Sequence, residues 1–75
     1  MPNLTRTLRR AKRLSEFCKD NPQHQEFLLA ELVDLLDDVE ELVNSPIIPT
    51  RIRLMLNTMK VSLKELRVLV QRRVD

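Results

Sequence analysis

Side chains able to do covalent or metal chemistry are few here: one Cys, one His and 11 carboxylates, in a chain of 75 residues without Tyr or Trp. A nucleophile needs a base within reach and an orienting group behind it. Cys18 falls on the same helical side as Leu4, Leu8, Ala11 and Leu14, so it reads as a small core residue. His24 stands in the first turn after Pro22, where a positive helix end disfavours the charged imidazolium. Its neighbours Gln25 and Glu26 offer no relay. The acidic run Asp34, Asp37, Asp38, Glu40 and Glu41 lacks the alternating spacing and the glycine of a calcium loop. No enzyme activity, cofactor or metal is expected.

Composition narrows the classes further. With Gly at 0 there is no phosphate-cradling loop and no dinucleotide turn. A single Cys makes neither an internal disulfide nor a structural zinc site, so a reducing, cytoplasmic setting is the expectation. The longest apolar runs are three or four residues, which excludes a membrane span, and no leader-like apolar block follows Met1.

What remains is an architecture. Two proline-bearing breaks, Asp20-Asn21-Pro22 and Asn44-Ser45-Pro46-Ile47-Ile48-Pro49-Thr50, divide the chain into segments 4–19, 22–44 and 50–74. Asn21 before Pro22 reads as a helix cap and first helical position, and Thr50 or Ser45 could cap the third segment. Leu at 14 and Val at 7, with few turn residues inside the segments, favour helix throughout. Short connections make neighbours antiparallel. The expectation is an all-α three-helix bundle forming one domain over 1–75: a long antiparallel hairpin, 22–44 against 50–74 and matched in length, plus the shorter helix 4–19.

Placing residues at about 100° intervals sorts the faces. In the middle segment Leu28, Leu32, Leu35, Leu36, Val39, Leu42 and Val43 form one apolar face. Glu31, Asp34, Asp37, Asp38 and Glu41 lie opposite. In the third, Ile52, Leu56, Met59, Leu63, Leu66 and Val70 follow the 4-3 spacing of a packing seam, with Met55 and Met59 as filler. Phe17 and Phe27 are expected in the core. A second stripe, Leu54, Val61 and Val68, recurs every seven residues on the other side of the third helix. Arg53, Lys60, Lys64 and Arg67 run between the two stripes. A bundle this small rarely covers both sides of its longest helix, and each wet aliphatic forfeits roughly 1.5–3 kcal/mol of burial. The stripe therefore reads as an interface, with the four cations as a border that sets register.

Charge is unevenly distributed: +4 over 1–20, −7 over 21–46 and +5 over 47–75. Asp38, Glu40 and Glu41 crowd the wrong end of the middle helix for its dipole, and Arg51 and Arg53 the wrong end of the next. A turn joining those ends would make the two misplacements complementary rims of one antiparallel pair. The acidic face could instead meet a basic partner, with carboxylates standing where phosphates would lie. The first segment packs five cations into positions 6 to 13, and Arg6, Arg9, Arg10 and Arg13 on one side could contact nucleic-acid phosphates.

The opening Leu4-Thr5-Arg6, followed by Leu8-Arg9-Arg10, is faintly similar to small mitochondrial assembly factors with a Leu-Tyr-Arg motif, which are also three-helix proteins. Thr5 stands where their tyrosine would be, and their phenylalanine in a basic second helix has no counterpart, so no residue role is carried over. The leading functional expectation is a non-enzymatic protein–protein interaction module, an adaptor, inhibitor or assembly subunit. It docks another protein or forms a homodimer through Leu54, Val61 and Val68. The alternatives are a nucleic-acid binder using the first helix, and a phage-type inhibitor whose acidic helix mimics phosphates.

Overall fold

The computed structural model describes residues 2–20 and 24–74 and contains three helices: α1 (Leu4–Asp20), α2 (Gln25–Val43) and α3 (Thr50–Val74). The all-α three-helix expectation holds, with each helix within a few residues of its predicted segment. The proposed cap at Asn21-Pro22 lies outside the described residues. The hairpin arms are not matched in length: α2 has 19 residues and α3 has 25. At about 1.5 Å per residue, α3 alone runs nearly the full 39 Å of the long axis.

Each helix end shows how a chain without glycine begins and stops helices. Asn3 caps α1: its Oδ1 accepts from the Arg6 N–H at 3.0 Å, and its carbonyl accepts from the Thr7 N–H at 2.9 Å and the Thr7 hydroxyl at 2.8 Å. One of the orphan N–H groups of the first turn, that of Arg6, is thereby satisfied, the Thr7 N–H makes the first regular helical bond, and the buried Thr7 hydroxyl is bonded as well. His24 precedes α2 and gives it no side-chain cap, although Glu26 in the first turn suits the dipole. At the other end Asn44 stays right-handed (φ −85°, ψ −3°), and no described residue has a positive φ. Thr50 is the first residue of α3 rather than its cap; Pro49 holds the cap place, its carbonyl accepting from the Arg53 N–H at 2.9 Å.

α2 is the middle element. It packs on both neighbours, more extensively on α3 than on α1. Its apolar face is buried as the spacing predicts, with Leu28, Leu32, Leu35, Val39 and Leu42 fully enclosed. From α3 the seam residues Leu56, Leu63 and Val70 complete the core, with Ile52, Met59 and Leu66 packed partly buried against it. From α1 come Ala11, Leu14 and Cys18. Met55 is a correction. It sits one residue ahead of Leu56, about 100° around the helix, and is largely exposed rather than filling the seam.

Candidate interaction surfaces

The acidic face of α2 is not an open surface along its whole length. One guanidinium, that of Arg10, reaches three of its carboxylates: Glu31 at 2.7 Å, Asp34 at 2.8 Å and Asp38 at 3.4 Å. Positions 31, 34 and 38 follow the 3-4 step that stacks side chains on one helix edge, so a single cation on α1 can span them. The hydrogen bond that Arg10 donates to Glu31 is the main reason its guanidinium is held above its ordinary pKa, against the partial burial that works in the other direction. The complementary rims thus form chiefly between α1 and α2. Asp34 stays exposed despite its bond to Arg10, and Asp37 and Glu41 are exposed with no ion pair among the described residues, so a phosphate-mimic face would have two unpaired carboxylates where the sequence suggested five.

Arg53 also departs from its expected place on a border. Its guanidinium donates to the Ser45 carbonyl at 2.9 Å and the Ile48 carbonyl at 3.1 Å, while its Nε is buried without a partner. It therefore clamps the α2–α3 turn instead of pairing with a carboxylate there. The positive charge near the C-terminal end of α2 relieves that helix's dipole, as the rim argument required, by a different route. Lys60 bonds Glu40 across the hairpin. That bond, the nearby Lys60 charge and the more distant Lys64 together hold the Glu40 carboxyl below its ordinary range. Of the four border cations, Lys64 and Arg67 are exposed.

On the outside of α3, Leu54, Val61 and Val68 are 63%, 58% and 50% exposed. Leu69 and Met55 widen the stripe on one side, and both are also largely exposed. Thr58 and Glu65 fall within the stripe by angle. The Thr58 hydroxyl is turned back on the Leu54 carbonyl at 3.2 Å, so its donor is spent inside the helix. Glu65 is the one charge between Val61 and Val68 on this line.

A third surface lies between α1 and the first half of α2. Arg6, Arg9, Arg10 and Arg13 line it, with Leu14 at its base and Phe17 and Phe27 at one end. The two phenylalanines are not core residues: Phe17 is 37% and Phe27 54% exposed. They meet edge to face with ring centroids 5.9 Å apart, and the His24 ring lies 5.9 Å from Phe17. The physical reason is position. Near the α1–α2 connection, Cys18 and Leu28 already fill the interior, which leaves the rings to cover each other at the rim. Cys18 itself is 2% exposed, as its face predicts.

Among the described residues no group of His, Cys, Asp or Glu is placed to hold a metal ion, and no helix is long and apolar enough to cross a membrane. No protein-family model, curated protein or solved structure matches the chain.

Proposed function

We propose that this chain is a non-enzymatic helical interaction module whose working surface is the outer side of α3. The observation that carries the reading is the line Leu54, Val61 and Val68, each at least half exposed on a helix whose opposite side is already committed to the core. Aliphatic groups supply affinity when a partner removes them from water, while charges at the edge steer encounter and reject wrong partners. Lys64 and Arg67 are the cations left open to do this, and Glu65 within the stripe asks for a donor opposite it. A homodimer is the simplest form, since a second copy would enlarge a core that so short a chain makes small. An adaptor or inhibitor would use the same stripe on a different protein. The single buried thiol fits a reducing, cytoplasmic setting.

Val61→Glu tests the proposal without disturbing the interior, because Val61 points outward. Sedimentation across a concentration series should show the wild type associating and the variant monomeric, with equal helicity by circular dichroism. If the chain stays monomeric at high micromolar concentration, self-association is removed. If a protein partner is then retained equally by wild type and variant, the α3 surface is removed too.

A further inference from the structure

We infer that the groove between α1 and α2 is a binding site for single-stranded nucleic acid, independent of the α3 stripe. Three features converge there. The first is charge: Arg6, Arg9 and Arg13 line the groove, and none forms an ion pair within the described chain. The carboxylates that would cancel them, Glu31 and Asp34, are already bonded to Arg10. Arg10 offsets only part of that acidic edge, but the groove lining itself sets four guanidinia, those of Arg6, Arg9, Arg10 and Arg13, against the single carboxylate of Glu31, and so is net positive.

The second is spacing. Positions 6, 9 and 13 follow the 3-4 step along one edge of α1 and cover about 10 Å of helix, a row of planar donors along which a phosphate backbone can lie. The third is the pair of rings. Cationic grooves hold single strands when they also offer aromatic side chains on which unpaired bases stack, and stacking tolerates any sequence because every base has a flat face. Phe17 and Phe27 occupy one end of the arginine row with ring surface open to solvent. A duplex hides its base faces and would gain only the charge term. An acidic helical peptide needs a deep apolar cleft for its anchors, and here the base of the groove is the buried Leu14.

The test is fluorescence anisotropy of the full chain with a short labelled single-stranded oligonucleotide of mixed sequence, titrated over a range of salt. Binding should appear at low salt and weaken with a log–log slope of about −2, the value for three phosphates neutralised on a single strand. Arg9→Glu with Arg13→Glu should abolish it at unchanged helicity. Phe27→Ala, at an exposed position, should weaken it about ten-fold, within the usual range for one stacked base. Val61→Glu should bind as wild type does. The proposal is overturned by no binding at low salt, by Phe27→Ala binding like wild type, or by an equal affinity for the matching duplex. It is also overturned by loss of binding in Val61→Glu, or by an acidic peptide that binds more tightly than the oligonucleotide.

Discussion

The two junctions that α2 makes are built on different principles. Toward α3 the interior is aliphatic and large, and the polar contributions are Lys60 on Glu40 and the Arg53 clamp on the turn. Toward α1 the apolar contribution is smaller: α1 buries Thr7, Ala11, Leu14 and Cys18, of which only Leu14 is bulky, with Leu4 and Leu8 partly buried against the core. Arg10, its side chain 29% exposed, adds ion pairs to three carboxylates of α2. Area removed from water stabilises in proportion to its extent, whereas an ion pair that solvent can reach adds about 0–1 kcal/mol. The hairpin is therefore the rigid part, and α1 is an attached arm whose opening costs less than global unfolding.

That contrast can be broken in order of size. Leu35→Ala removes a fully buried side chain from the middle of α2 and should cost about 2–5 kcal/mol, enough to abolish cooperative folding of so small a domain. A thermal melt that moved only a few degrees would mean that the core is not centred on α2. Arg10→Gln should cost about 1 kcal/mol and act locally. Labelling of the Cys18 thiol should then speed up about five-fold, while amide protection in the middle of α2 and α3 stays as it was. Equal loss of protection in all three helices would show that α1 does not open on its own. Glu40→Gln has the smallest effect and reads the hairpin. Because Lys60 lowers the Glu40 pKa in the folded chain, the pair's contribution is complete above the ordinary carboxyl value of 4.5 and is lost as pH falls through the lower folded value. The substitution should lower the thermal midpoint slightly at neutral pH and not at pH well below 4. High salt should shrink the difference, since the Glu40 carboxylate is exposed to solvent.

Much of this was legible in the residues, for reasons that also explain the misses. The proline-bearing breaks and the 3.6-residue spacing place the three helices, and Leu28 to Leu42 sit inward as their positions require. The outer stripe of α3 is also as exposed as its period of seven implied. Periodicity groups Arg10 with the outward arginines of α1, but it lies at the boundary between faces, where a long side chain can turn toward a neighbour. The signal that could have found it was on α2: Glu31, Asp34 and Asp38 share one edge and together need a counter-charge. Residue type alone places Phe17 and Phe27 in the core, because it favours burial on average and says nothing of how full the interior already is at that end. Asn3 before Leu4 is a plain capping signal that helix periodicity does not register.

The Arg53 clamp has a consequence for how copies of this chain can combine. Straightening the α2–α3 connection into one continuous helix would let two molecules exchange their third helices, a cheap route to entangled dimers. Pro46 and Pro49 cannot continue a helix through that stretch, and the guanidinium on the Ser45 and Ile48 carbonyls holds the bend closed. Swapped assemblies are disfavoured at their hinge, so any second copy would have to dock as a finished unit on the outside.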